Sequence, residues 1–333
     1  MRLVEKGDLQ GVQRLVRSAA VGINDRYPPD TGSTALMLAA DRGNQPMVQG
    51  LLALGADCNA PELRPVRTIK EAVQSSQRQG TSFEEAHYGH HGTALMRAAF
   101  RGHEGVIKAL LAAGAEVDTV DSKGDAALSY AIYGKHRGAL QALLAGGASP
   151  NLQSSSALNC LAENWGDVEA FNDLVQAGAD PMQKGESGHT ILMTAHRYLA
   201  LMSHILSTYP DVDVNARDDT GRTALHLVYE AETVELLLKA GAQVNAVDNS
   251  GMSPLLHLCM MGSPGIVRVL LAAGADALQV ANDGRNALTL LVGERSASKL
   301  SKDDELIRRM LIKAMAVQQQ QRRQQQVRAV QME

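Results

Sequence analysis

The side chains with the most chemistry to offer are histidines and cysteines. His87, His90 and His91 fall within the five-residue run HYGHH, and imidazole nitrogen is a common metal ligand. No cysteine or carboxylate stands at ligand spacing beside them. The run is therefore expected to be a polar loop tip, with no metal and no other cofactor. Cys58, Cys160 and Cys259 are odd in number and about a hundred residues apart, which fits neither a disulfide framework nor a clustered thiolate site. They are expected to be reduced and buried, as in a cytoplasmic protein. The chain carries no phosphate-binding loop, no G-x-S-x-G nucleophile elbow and no H-E-x-x-H pair. No catalytic residue is assigned, and the chain is expected not to be an enzyme.

The elements that carry these residues come from repetition. One phrase recurs as GSTALMLAADRG at 32–43, GTALMRAAFRG at 92–102, GRTALHLVYEA at 221–231 and GMSPLLHLCMMG at 251–262. A second follows each, as LLALGADCNA at 51–60, LLAAGAEVDTV at 110–120, LLKAGAQVNAV at 237–247 and LLAAGADALQV at 270–280. Leu36, Leu95, Leu128, Leu158, Leu192, Leu225, Leu255 and Leu288 anchor the first phrase, at spacings of 59, 33, 30, 34, 33, 30 and 33. Thr34, Thr93, Thr190, Thr223 and Ser253 stand where a hydroxyl caps a helix, and Pro254 stands in a first turn, where a missing N–H costs nothing. Ala126 occupies the same cap slot without a hydroxyl. Gly55, Gly114, Gly147, Gly178, Gly241 and Gly274 fall where a left-handed residue ends a second helix. Each helix pair has apolar residues at helical spacing on both sides, such as Val106, Ile107, Leu110 and Leu111, so it must stack on neighbours to bury them.

A period near 33 residues, with a T-P-L-H-x-A-like opening and a closing GAD-VNA, resembles the ankyrin repeat. The resemblance covers about residues 1–315. It implies an all-α solenoid with short β-hairpin loops, about eight repeats plus terminal caps. The domain reading is a capping partial repeat at 1–28, repeat 1 at 29–59, an inserted loop at 60–87, repeats 2–8 with a C-terminal cap helix at 88–317, and a Gln/Arg-rich tail at 318–333. In the cap helix Leu306, Met310 and Leu311 are expected on one face. The tail lacks apolar content for burial, so it is expected as a solvated helix extension or as disordered chain. By the same resemblance His226, in the TALH slot, and His103 are structural hydrogen-bonders rather than bases. Asn59, Asn215 and Asn245 stand in the turn where such repeats carry hydroxylatable asparagines.

Irregularities mark particular repeats. The spacing of 59 after Leu36 holds about 26 extra residues within 60–91. Asp211 replaces the terminating glycine of its repeat, and Pro210 is expected to end the preceding helix early.

The resemblance places binding on the concave face, at positions five and six after each anchor leucine. These positions give the expected partner-binding residues Arg42, Phe100, Arg101, Tyr133, Arg197, Tyr198, Met260 and Met261, with Trp165 beside them as a one-residue insertion. Only 3% of residues are aromatic, yet rings gather here with arginines, the residue types that most often dominate interface energetics. The expected partner is a protein or peptide. A net charge of -4 provides no field for nucleic acid, and no apolar run reaches the length of a membrane span. The chain is expected to be a monomeric interaction scaffold. The alternative is a regulatory or substrate-receptor subunit of an enzyme complex, docking through the 60–91 insertion or the C-terminal helix.

Overall fold

The computed structural model describes residues 2–26, 32–62, 92–152, 156–292 and 301–332. His87, His90, His91 and the insertion beyond Glu62 lie outside the described residues. The chain divides into two compact units, Met1–Asp180 and Pro181–Glu333.

The first unit contains five helix pairs. α1 (Arg2–Glu5) and α2 (Leu9–Arg17) precede α3 (Ala35–Asp41) and α4 (Gln45–Ala53), α5 (Ala94–Arg101) and α6 (Glu104–Ala112), α7 (Ala127–Tyr133) and α8 (Arg137–Ala145), and α9 (Ala157–Asn164) and α10 (Val168–Gln176). The second unit continues with α11 (Ile191–Thr194), α12 (Leu199–Thr208), α13 (Ala224–Leu227), α14 (Ala231–Lys239), α15 (Pro254–Cys259), α16 (Pro264–Ala272), α17 (Ala287–Val292) and α18 (Lys302–Met332).

The anchor leucines from Leu36 to Leu255 are all buried, together with the Val106, Ile107 and Leu110 stripe of α6. From α4 to α16 every second helix but one is followed by a glycine with φ between 86° and 96°, among them Gly55, Gly178 and Gly241. A β-carbon on any of these three would meet nothing within 4 Å. The left-handed backbone, not space, therefore requires glycine there. The exception is α12, which ends at Thr208 ahead of Pro210.

The caps are less uniform than the sequence implies. Thr34 Oγ1 accepts from Met37 N–H at 3.3 Å and Thr93 Oγ1 from Met96 N–H at 3.4 Å. Thr190 and Ser253 make no such bond. The Ser253 hydroxyl is buried, behind a proline at the first position of its helix.

The expected β-hairpins reduce, among the described residues, to the isolated bridges Arg26↔Thr34, Val120↔Ala126 and Val280↔Asn286. The loops are folded by side chains instead. Asp121 Oδ1 accepts from the N–H groups of Lys123 at 2.8 Å and Asp125 at 2.9 Å, an Asx turn that takes the place of a ladder.

Two features close irregular parts of the chain. Glu62 N–H donates to Gly92 C=O at 3.0 Å, joining the ends of the insertion. The Glu62 carboxylate is buried against the Arg97 guanidinium at 2.8 Å and accepts from Ser33 Oγ at 3.2 Å. At the C-terminus, α18 buries Ile307 and Leu311, whereas Leu306 is exposed. The expected cap face is thus rotated, and Ile307 takes the place of Leu306. The acidic first turn, Asp303 to Glu305, complements the positive end of the helix dipole. The Gln/Arg tail continues this helix to Met332.

Candidate interaction surface

The corner where each first helix hands over to its second carries the residues expected to bind. In the first unit most of them also serve the stack. Arg42 caps α3 and reaches back to Glu5, donating to its carbonyl at 3.2 Å and pairing with its carboxylate at 3.5 Å. Arg101 pairs with Asp41 at 3.2 Å, and its guanidinium lies 5.8 Å from the centroid of the Phe100 ring. Phe100 is only 8% exposed, which corrects its expected place on the open face. Its ring sits below the guanidinium and in the core.

Tyr133 is half-buried. Its hydroxyl donates to Asp125 Oδ1 at 3.0 Å, and its ring stands edge-on to Tyr130 at 6.1 Å. Burial, with Cys160 and Asp125 nearby, pushes the Tyr133 phenol above its ordinary range. Burial raises the Asp125 carboxyl as well, against the pull of the Tyr133 bond. Trp165 is half-buried at the end of α9, followed by the left-handed Gly166.

The second unit presents a more open corner. Arg197 is exposed and Tyr198 half-buried. Leu199 is 38% exposed, Tyr229 47%, Met260 51% and Met261 56%. These side chains occupy matching corners of three consecutive helix pairs. Tyr229 escaped the sequence count because α13 stops at Leu227 and Val228 is extended, so this repeat turns one residue early. The Tyr229 ring stands edge-on to His196 at 5.3 Å.

The histidines serve architecture. His226 Nδ1 accepts from Thr223 N–H at 3.0 Å, and Nε2, carrying the proton, donates to Met252 C=O at 3.1 Å. His103 Nε2 lies 3.0 Å from Asp41 C=O. Among the described residues no group of three or more His, Cys, Asp or Glu could hold a metal ion. Nor is any helix there long and apolar enough to cross a membrane. Cys160 and Cys259 are buried, and Cys58 is half-buried. Burial pushes the Cys259 thiol up to about 12.

Asn59, Asn215 and Asn245 share one geometry that the sequence did not reveal. Each carboxamide spans to the turn of the next repeat, donating to a glycine carbonyl and accepting from the N–H two residues later. Asn59 reaches Gly114 C=O at 3.3 Å and Glu116 N–H at 2.8 Å. Asn215 reaches Gly241 at 3.1 Å and Gln243 at 2.8 Å, and Asn245 reaches Gly274 at 3.2 Å and Asp276 at 2.8 Å. Asn151 does the same with Gly178 at 2.6 Å and Asp180 at 3.2 Å. Asp118, a carboxylate in the same slot, makes only the accepting bond, from Ser149 N–H at 2.9 Å.

Comparison with known proteins agrees with this architecture. The family model for three copies of the ankyrin repeat matches residues 66–154, 158–248, 197–281 and 228–303, and the single-repeat model matches 31–62. The B-cell lymphoma 3 protein homolog of Mus musculus is 38% identical over 123 residues, 34% of this chain and 28% of that protein. The palmitoyltransferase AKR1 of Lachancea kluyveri is 31% identical over 136 residues, 39% of this chain and 18% of that protein. The E3 ubiquitin-protein ligase KEG of Arabidopsis thaliana is 26% identical over 334 residues, 86% of this chain and 20% of that protein. The chain spans less than a third of each of these relatives. Stacked helix pairs, left-handed glycine termini and family-model matches over most of the sequence together make this chain a member of the ankyrin-repeat family, whose repeats imply a role in protein–protein interaction.

Proposed function

We propose that this chain is a non-enzymatic scaffold that binds a protein or peptide through the helix-corner face. The observation that carries the reading is the run of Leu199, Tyr229, Met260 and Met261, large apolar side chains left exposed at matching corners of three consecutive repeats. Contiguous apolar surface of this kind marks interaction sites. Methionine adds adaptable contact area, and tyrosine and arginine add anchoring. Tyr198 and Arg197 border this run; Arg42, Arg101, Tyr133 and Trp165 are the corresponding residues of the first unit. The missing nucleophile and metal motifs support a non-catalytic role, and the net charge of -4 favours protein over nucleic acid.

The test is affinity capture with the full chain and with a Tyr229→Ser, Met260→Ser, Met261→Ser variant. The three side chains are exposed, so the variant should keep its melting temperature while losing the captured partner. Retention of every partner by a variant of unchanged stability sinks the proposal.

A second reading, as a regulatory or substrate-receptor subunit, draws on one further observation. Beyond Gln318 the residues of α18 are exposed as far as they are described, to Arg328 and Ala329, leaving a helix surface available to another subunit. Truncation after Arg322 separates the readings, because only the second predicts loss of a partner that the corner variant keeps.

A further inference from the structure

The last helix runs well past the repeats that it caps. α18 is 31 residues long and meets the stack through one side. Ile307 and Leu311 are buried there, Gln318 bonds to Ala275 and Ala277, and Arg322 pairs with Asp276. From Gln319 to Ala329 every residue is exposed. Glutamine, arginine and alanine favour a helix, yet a polar helix end that packs on nothing is marginal in water.

A second side of the same helix carries a regular pattern. Leu306, Met310, Lys313 and Val317, then Gln320, Gln324 and Val327, follow one another at alternating spacings of four and three residues, which are the d and a positions of a coiled-coil heptad. This stripe lies roughly a third of a turn round the helix from the side that packs on the stack. Its apolar members are open: Leu306 is 48% exposed, Val317 47% and Val327 56%. The charge of the helix has one sign, since between Leu306 and Met332 every charged residue is a lysine or an arginine. Arg308 and Arg309 pair with Glu305. Lys313, Arg323 and Arg328 are exposed and make no ion pair among the described residues. Lys313 stands in the stripe at d, and Arg323 and Arg328 stand beside it at g and e, where a coiled coil places its interhelical charges.

We propose that the exposed stripe of α18 is one half of a heterotypic coiled coil, and that its partner is an acidic amphipathic helix of another protein, with apolar residues at a and d and carboxylates at e and g. The inference rests on the second reading above and gives its docking subunit a chemistry. The partner's aliphatic side chains cover Leu306, Met310, Val317 and Val327, and its carboxylates meet Lys313, Arg323 and Arg328. A second copy of this chain is the wrong occupant. In a parallel pair Lys313 faces Lys313 and Arg323 faces Arg328, and an antiparallel pair still joins two helices that hold no carboxylate between Leu306 and Met332. Nucleic acid would answer the charge but leave the apolar stripe uncovered.

The test titrates the full chain into two labelled four-heptad peptides, both with leucine at a and d, one with glutamate and the other with lysine at e and g, and follows fluorescence anisotropy. The glutamate peptide should bind about tenfold tighter than the lysine peptide, with an advantage that shrinks as salt rises. Val317→Ser with Val327→Ser should weaken it about tenfold at an unchanged melting temperature. Ile312→Ser should leave binding as it was, because Ile312 is 46% exposed but lies off the stripe at c. Arg323→Glu with Arg328→Glu should reverse the preference to the lysine peptide. Equal binding of the two peptides overturns the proposal, as does a loss with Ile312→Ser that matches the loss with the valine pair. Tighter binding of a duplex DNA oligonucleotide than of the glutamate peptide does the same, and so does a dimer of the full chain, seen by sedimentation, that the valine pair dissolves. Release of a captured partner on truncation after Arg322, without binding of the glutamate peptide, upholds the second reading and overturns this one.

Discussion

Acidification from pH 7.5 to pH 5 should remove about 2 kcal/mol of stability through one buried imidazole, His226. The ring is held neutral by its partners: Nδ1 accepts from Thr223 N–H and Nε2 donates to Met252 C=O. A proton added at Nδ1 would displace the Thr223 N–H bond, leaving the Thr223 hydroxyl oxygen at 3.0 Å to accept it. Burial, helped by the neighbouring His257, lowers the pKa to about 4 against the upward pull of the Met252 carbonyl and Asp248. In the unfolded chain the ring titrates near the ordinary value of 6.5. Below that pH the unfolded state binds a proton that the folded state refuses, so stability falls with pH from about 6.5 and levels off below about 4. The full loss is roughly 3 kcal/mol and the loss at pH 5 roughly 2 kcal/mol. The assay is urea denaturation across this pH range on the natural sequence and on His226→Gln. Subtracting the two cancels the half-buried His136 and His196, whose pKa values partial burial also lowers. Repeat stacks lose strict two-state behaviour, so hydrogen exchange in Ala224–Leu227 and Pro254–Cys259 provides a local readout of the same change. Parallel stability curves for the two proteins between pH 7.5 and pH 5 would refute the reasoning.

Three further outcomes are expected. Ala126 stands at the start of α7 with no side-chain cap bond, so Ala126→Thr should add about 1 kcal/mol, read as a higher denaturation midpoint; an unchanged midpoint contradicts it. Glu62→Gln should cost about 3 kcal/mol by leaving the mostly buried Arg97 without its counter-charge, measured by thermal melting; a loss under about 1 kcal/mol would mean that the pair is solvated. If Asn59, Asn215 and Asn245 are hydroxylated, intact mass of natively purified protein should show increments of one oxygen, and peptide mapping should place them on these three residues and not on Asn151.

The period, the buried anchor leucines and the left-handed glycines were legible in the sequence because one backbone geometry imposes each of them at most repeats. The surface was less legible. Counting five and six residues from an anchor assumes helices of equal length, and α13, four residues long, breaks the count and brings Tyr229 out. Phe100 obeys the count but turns inward, because Arg101 takes the outer position and pairs with Asp41. A turn asparagine looks the same in sequence whether it faces solvent or the next repeat.

A stack of identical units has no natural end. Each turn that receives its neighbour on one side offers the same invitation on the other, and an unanswered turn is an adhesive surface for the next molecule. Here the last turn is answered from within: Gln318 takes the Ala275 carbonyl and the Ala277 N–H, and Arg322 pairs with Asp276 at 2.6 Å. The glutamine-rich tail therefore begins as a stopper, and a protein cut before Gln318 would carry an open end that favours growth into filaments over the finite particle.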